Sequence, residues 1–445
     1  MRIVVLSGGA AGMSAAAKAK RLSPDAEVVV YEQGGFVSYG ACGLPYYVSG
    51  LNPDYTKMLI RSPEEFQRQG VQVHLYHQAL RVSPADKTVL IRNLTDGGML
   101  VEHYDKLMLA TGARAIVPRL PGVELPGVHT LKTLDDGLTL QKNLEGKRQI
   151  VVVGGGYIGV EVAESLRGSG REVRLIEAAP DILAPFDPPI REILRRQMEE
   201  AGIAVHTGEA LRAILPNADG FAVGGVETAA GTYLADLVVL ALGVRPCTAF
   251  LEGTGIRRMK NGAIEVDREM RTSIPDIYAT GDCACVYNRI EERKVYSALG
   301  TVANKCGRIA GENMLGAHVR FDGCLGSSAI SVCGMEAART GMGEATAREL
   351  FGEDVSVVDV QTHDRAPYYP DPTPLLIRLI CQKRSRRILG GQAVGRKGAV
   401  LRVGSLAMAI TGGLTAPELG MSDLCYAPPF AEVWDALNVA GNAVK

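Results

Sequence analysis

Cys42 lies in Val37-Ser38-Tyr39-Gly40-Ala41-Cys42-Gly43-Leu44-Pro45-Tyr46-Tyr47, a setting suited to a reactive sulfur. Gly40, Gly43 and Pro45 crowd around it, as such residues do where backbone approaches a ligand closely. Pro45 suits an early helical position, where its missing N–H costs little, so Cys42 falls just before a helix start. A thiol at that end of a helix meets the positive end of the backbone dipole, which favours the nucleophilic thiolate. The plain alternative is a small cysteine packed in a core.

Two repeated patterns position this stretch. The first is the strand Ile3–Leu6, the turn Ser7-Gly8-Gly9-Ala10-Ala11-Gly12, an alanine-rich helix over Met13–Leu22 and the strand Glu27–Tyr31 ending in Glu32. Such a turn rests a pyrophosphate on the helix N-terminus, and an acid about 20 residues further on accepts hydrogen bonds from a ribose. Ser7 stands where the first glycine of the fingerprint is usual, and a negative φ there would still permit the turn. The second pattern is the strand Gln149–Val153, then Gly154-Gly155-Gly156-Tyr157-Ile158-Gly159, a helix through Leu166 and the strand Glu172–Ile176 followed by Glu177. Two complete units imply two bound dinucleotides.

Composition narrows the class. A chain of 445 residues suits two or three domains, and a net charge of −1 with interspersed signs calls for neither nucleic acid nor a membrane surface. No apolar run approaches the roughly 20 residues of a membrane span. Nine cysteines at irregular spacings argue against a disulfide framework and for a reducing, cytoplasmic setting. No zinc pattern appears, and Cys283 and Cys285 read as packing residues. Met1-Arg2 leads straight into a strand, leaving no room for a secretory signal.

Ser38-Tyr39-Gly40-Ala41-Cys42-Gly43-Leu44-Pro45-Tyr46-Tyr47 resembles the active-site signature of the coenzyme A-disulfide reductase branch of the pyridine nucleotide-disulfide oxidoreductases, in the class with a single active-site cysteine. That branch also holds NADH oxidases, peroxidases and persulfide reductases. Dithiol members of the superfamily carry a second cysteine where Tyr47 stands, so a disulfide at Cys42 would need a substrate sulfur or a distant cysteine. The resemblance implies an α/β fold with two Rossmann-like dinucleotide-binding domains, for FAD and NAD(P)H, plus a C-terminal α+β dimerisation domain. The expected boundaries are 1–115 with 245–320 for FAD, 116–244 for NAD(P)H and 321–445 for dimerisation.

By that resemblance, FAD is held by Ser7, Gly8, Gly9, Ala10, Ala11, Gly12, Glu32, Ala79, Thr111, Gly112, Asp282 and Thr301. Thr111-Gly112 closes the first flavin segment, and Ile277-Tyr278-Ala279-Thr280-Gly281-Asp282 delivers a carboxylate to a ribityl hydroxyl. A helix around Ala303–Asn313 points its N-terminus at the flavin. NAD(P)H is assigned to Gly154, Gly156, Tyr157, Ile158, Gly159, Glu161, Glu177 and Gly243. Tyr157 covers the flavin face until the nicotinamide displaces it, and Glu161 lies close to the nicotinamide. Glu177 should favour NADH, while nearby Arg174 leaves NADPH open. Ser14, Lys18, Arg21 and Ser38 match coenzyme A-binding positions, the plain alternative for Lys18 and Arg21 being a solvated basic helix face. Ala10 occupies a place where peroxidase and oxidase relatives carry a histidine.

Beyond about Phe321 the pattern turns to antiparallel strands, among them Ser328–Cys333 and Leu375–Cys381, with helices near Val403–Ile410 and Ala431–Val439. Tyr368 and Tyr426, in proline-bordered patches, match tyrosines that relatives send from one subunit of a homodimer into the other's cysteine site. The expected function is FAD-dependent NAD(P)H reduction of coenzyme A disulfide, or of a related persulfide or polysulfide, through Cys42 and a mixed disulfide. An NADH oxidase using a Cys42 sulfenate and a flavoprotein redox sensor without rapid turnover are the alternatives.

Overall fold

Strands buried on both faces need continuous apolar runs, and the chain supplies two such sets. The computed structural model describes residues 1–445 and divides into two compact units. The first comprises Met1–Ile116, Thr130–Glu145 and Gly243–Cys324. Its parallel sheet has the order Ile277–Ala279, Lys106–Leu109, Arg2–Leu6, Glu27–Tyr31 and Val71–His74. The helix Ala10–Leu22 crosses between the third and fourth of these and packs on Gly300–Asn313. That crossing needs small residues. A Cβ at Gly307 would lie 2.4 Å from the Ala11 carbonyl oxygen, and one at Gly311 would lie 2.6 Å from that of Ala15.

The second unit comprises Val117–His129, Gly146–Leu242 and Leu325–Lys445. It repeats the parallel arrangement, in the order Ala204–Thr207, Glu172–Glu177, Gln149–Val153 and Leu237–Leu240, with Val128–Thr130 at the edge. It also carries an antiparallel sheet ordered Ser328–Val332, Met335–Gly341, Ile388–Gly395, Pro374–Gln382 and Val355–His363. The helix Ala399–Gly412 packs on the second and third of these strands, and Ala436–Ala443 on the last two. The expected class, two Rossmann-like folds followed by an α+β domain, is the one observed.

Buried charge ties the two parts of this second unit together. Arg378, only 5% exposed, donates to Asp187 Oδ2 at 2.9 Å and Asp359 Oδ2 at 2.6 Å, and also to Glu344. Asp187 precedes the helix Pro188–Glu200 without capping it, its carboxylate accepting instead from the Glu344 N–H at 3.2 Å, and its backbone N–H donates to Gln392 Oε1 at 2.8 Å. The last helix starts later than the sequence pattern suggests. Asp435 is its N-cap, accepting from the Leu437 N–H at 2.9 Å, so 431–434 lie outside it. No helix is long and apolar enough to cross a membrane.

Candidate active site and its two nucleotide cradles

The first glycine turn closes around Glu32. Its Oε2 accepts from Ser7 Oγ at 2.8 Å and the Gly8 N–H at 2.7 Å, while Oε1 accepts from the Gly34 N–H at 2.7 Å. Ser7 has φ +85°, so the expected negative φ is wrong. The serine takes the conformation that the missing glycine would, and its hydroxyl bond to Glu32 helps hold this costly backbone state. A Cβ at Gly12 would meet the Ser7 carbonyl oxygen at 2.0 Å, so helix and turn touch through the glycine. At Gly9, the N-cap, a Cβ would meet nothing within 4 Å and no side chain caps the helix. That leaves open space beside unsatisfied N–H donors, with Ala10 exposed on the first turn, the geometry that a pyrophosphate fits.

A cavity of about 950 Å³ opens beside this turn, lined by Ser7, Tyr31, His77, Ala79, Thr111 and Cys247 among others. Thr111 Oγ1 donates to the Cys247 carbonyl at 2.7 Å, and Gly112 turns the chain with φ +62°. Asp282 holds an ion pair with Lys132 at 2.8 Å, a lysine that no motif in the sequence brought forward. Only the fold brings the two together. Thr301 is exposed in the first turn of the helix Gly300–Asn313, whose start precedes the expected one.

The second turn repeats the geometry. Glu177 Oε2 accepts from the Gly155 N–H at 2.5 Å and Oε1 from the Ala179 N–H at 2.6 Å. A Cβ at Gly159 would lie 1.8 Å from the Gly154 carbonyl oxygen, while one at Gly156, the uncapped N-cap, would meet nothing within 4 Å. Arg174 does not reach toward Glu177. Its guanidinium lies 4.3 Å over the Tyr233 ring, and its Nε donates to His206 Nε2 at 3.3 Å. The half-buried Ile158 and Tyr157 open the helix, and the Tyr157 hydroxyl bonds Ser328 Oγ at 2.6 Å. Glu161 follows one turn on, where burial and then neighbouring Glu164 push its carboxyl up to about 7. Gly243, with φ +89°, falls in the first unit, its carbonyl accepting from the Ile116 N–H at 3.0 Å.

Cys42 is exposed in a 3₁₀ turn, Ala41–Gly43, directly before the helix Leu44–Val48 with Pro45 in its first turn. That helix has 5 residues, its Leu44 N–H already donates to the Ala41 carbonyl and Pro45 has none to offer, so Cys42 does not meet the summed dipole of a long helix. The loop is fixed by backbone. The Ser38 N–H donates to the Gly8 carbonyl at 2.9 Å, the Ile60 N–H to the Ser38 carbonyl at 2.8 Å, and the Gly40 N–H to the Met58 carbonyl at 2.9 Å. Tyr47, at the place of a second cysteine, is buried with its ring edge-on to Tyr55. Elsewhere burial pushes the Cys306 and Cys381 thiols up to about 12, whereas Cys42 and Cys425 are the two exposed cysteines.

The coenzyme A candidates divide. Ser38 shares the cysteine loop, and Ser14 and Arg21 lie on the first helix with Arg21 exposed. Lys18 pairs with Glu312 at 2.9 Å, so a phosphate would have to displace that carboxylate. In the second unit the Tyr368 and Tyr426 hydroxyls are 2.7 Å apart, and both side chains are exposed. Leu401, Met408, Phe430, Val433 and Trp434 are exposed in the same C-terminal region.

Residues 1–303 match the family described as pyridine nucleotide-disulphide oxidoreductase, and residues 327–437 match its dimerisation domain. The chain belongs to that family. As an oxidoreductase of this family it uses FAD and NAD(P)H, and its C-terminal part is the family's dimerisation domain. It is 34% identical to a Pyrococcus horikoshii protein named NAD(P)H coenzyme A polysulfide/persulfide reductase, over 100% of this chain and 98% of the relative. It is 31% identical to an Enterococcus faecalis NADH oxidase, over 100% and 99%. The solved structure of reduced Bacillus anthracis CoADR-RHD superposes with a TM-score of 0.95 at 33% identity, covering 100% of this chain and 80% of that one.

Proposed function

We propose that this oxidoreductase reduces coenzyme A disulfide or coenzyme A persulfide with NAD(P)H, using Cys42 as its nucleophile. The observation that carries the reading is an exposed cysteine on a loop bonded through Ser38 to the first glycine turn, with a buried tyrosine where a local disulfide partner would stand. The Cys42 thiolate attacks one sulfur of the substrate, forming a bond from its Sγ to that sulfur and breaking the substrate S–S bond. From coenzyme A disulfide one coenzyme A thiolate leaves and takes a proton; from coenzyme A persulfide, attacked at the sulfur that coenzyme A carries, hydrosulfide leaves instead. When bound, FAD would supply the two-electron link between the nicotinamide and the Cys42 mixed disulfide, and cleavage of that disulfide returns the Cys42 thiolate and the coenzyme A it held.

Ser7, Gly8, Gly9, Ala10, Ala11, Gly12, Glu32, Ala79, Thr111, Gly112, Asp282 and Thr301 would hold FAD, with Lys132 added. Gly154, Gly156, Ile158, Gly159, Glu177 and Gly243 would hold the nicotinamide dinucleotide, with Tyr157 and Glu161 at its reactive end. Ser14, Lys18, Arg21 and Ser38 would bind coenzyme A. The chain pairs with a second copy in the cytoplasm, and each copy lends Tyr368 and Tyr426 to the other's Cys42, where their hydroxyls donate to the leaving thiolate. The test is acceptor choice by the FAD-loaded protein. Fast NADH consumption with coenzyme A disulfide or persulfide, and slow consumption with oxygen alone, is expected; fast oxygen consumption indifferent to coenzyme A would make it an oxidase.

Two further results follow from the second cradle. Hydride donation leaves a cationic nicotinamide, so ionised Glu161 beside it should speed the step. Flavin reduction by NADH should rise with pH through about 7, and Glu161→Gln should flatten that profile, as followed by stopped-flow absorbance. With Arg174 committed to Tyr233 and His206, Glu177 faces the ribose without a cation to offset its charge. NADH should be preferred, and Glu177→Ala should narrow the NADH to NADPH ratio of kcat/KM by about tenfold or more.

A further inference from the structure

The two exposed tyrosines sit on separate loops, 364–373 and 421–435, yet their hydroxyls meet at 2.7 Å. Exposed phenols on independent loops would have no reason to stay paired. The loops share a buried base. Arg402, on the helix Ala399–Gly412 and 9% exposed, pairs with Asp435, 8% exposed, through Nη2 to Oδ2 at 2.7 Å and Nε to Oδ2 at 2.9 Å. The same guanidinium donates from Nη2 to the Asp364 carbonyl at 3.2 Å and to the Phe430 carbonyl at 3.3 Å. One planar cation thus holds the start of the Tyr368 loop and the segment that follows Tyr426.

Each loop is then closed on itself. The Asp364 side chain accepts from the Thr373 N–H at 2.6 Å, joining the two ends of the first loop. Beyond Tyr426, the Phe430 N–H donates to the Ala427 carbonyl at 2.9 Å. A single backbone bond, from the Ala366 N–H to the Pro428 carbonyl at 3.2 Å, spans the gap between loops.

We propose that Arg402, oriented by Asp435, is the positioning residue of the Tyr368–Tyr426 pair. The proposal rests on the catalytic reading of those tyrosines above, which it deepens. Arg402 touches no reacting atom and acts only through where the hydroxyls stand. A lysine at this place keeps the charge, but its single nitrogen would have to serve Asp435 and both carbonyls, which the guanidinium meets from two, Nε and Nη2, on a rigid plane. Misplacing a catalytic group by an ångström can cost about a hundredfold.

The test combines Arg402→Lys, Tyr426→Phe and the double variant in the FAD-loaded protein, with a crystal structure of Arg402→Lys. The hydroxyls should separate beyond about 3.5 Å. Arg402→Lys should lower kcat/KM for coenzyme A disulfide about ten- to a hundredfold while leaving flavin reduction by NADH unchanged. Its loss should fall well short of adding in full to that of Tyr426→Phe, because both variants act through the one tyrosine pair. A pair still at 2.7 Å in Arg402→Lys, or losses that add in full, would overturn the proposal. Full turnover by Tyr426→Phe sinks the catalytic reading of the tyrosines instead, and positioning is then decided by the hydroxyl separation alone. Should Arg402→Lys not fold, Asp435→Asn keeps a good helix cap and is judged by the same structure and kinetics.

Discussion

Cys42→Ser is expected to lower turnover with coenzyme A disulfide by at least about a thousandfold, the scale on which removal of an essential nucleophile acts. Serine is close in size, the loop is held by backbone bonds from Ser38 and Gly40, and neither glycine turn includes Cys42, so FAD content and flavin reduction by NADH should stay near wild type. The loss should therefore appear in the half-reaction with substrate sulfur and nowhere else. Steady-state assays paired with stopped-flow flavin reduction separate the two. Turnover within about tenfold of wild type would show that another group does the sulfur chemistry.

The second large effect is on stability. Arg378→Leu removes one cation and leaves buried Asp187 without a counter-charge, while Glu344 keeps Arg348 and the exposed side of Asp359 turns to water. Breaking a buried ion cluster in this way costs about 3–5 kcal/mol, because uncompensated charge stays behind. The thermal transition should fall by many degrees, and pairing Arg378→Leu with Asp187→Leu should recover part of the loss. Burial alone would raise the Glu344 carboxyl, but hydrogen bonding from Arg348 and the Arg378 charge hold it below its ordinary value. A depressed acid stabilises above its unfolded pKa and loses that contribution as pH falls through its folded one. The cluster should thus weaken in acid below the ordinary glutamate range, not at neutral pH. A transition unchanged in Arg378→Leu would contradict this account.

What could be read in advance follows from where the information lies along the chain. Both glycine turns, their helices and the acids Glu32 and Glu177 are local, set by a strand, a turn and a helix in succession, and the structure shows them in those elements. Ser7 shows the limit of that reading, since a left-handed serine is stabilised by Glu32, 25 residues away in sequence. The pairing of Lys132 with Asp282 is longer still, and no spacing rule announces it. Arg174 looked available beside Glu177 in sequence, but alternation along the strand and the approach of Tyr233 and His206 take its charge elsewhere. Likewise the helix expected from Ala431 waits for Asp435, because that carboxylate both caps it and receives Arg402 from another element.

The most direct test of the central claim is an anaerobic NADH titration of wild type and Cys42→Ser after each has been treated with coenzyme A disulfide and freed of excess, with intact mass taken before and after. Wild type should carry one coenzyme A on Cys42, take up one electron pair beyond that needed for its FAD and release the coenzyme A. The serine variant should carry none and reduce only its FAD. If both proteins consume the same NADH and neither carries coenzyme A, Cys42 is not the site of a mixed disulfide and the proposed chemistry is wrong.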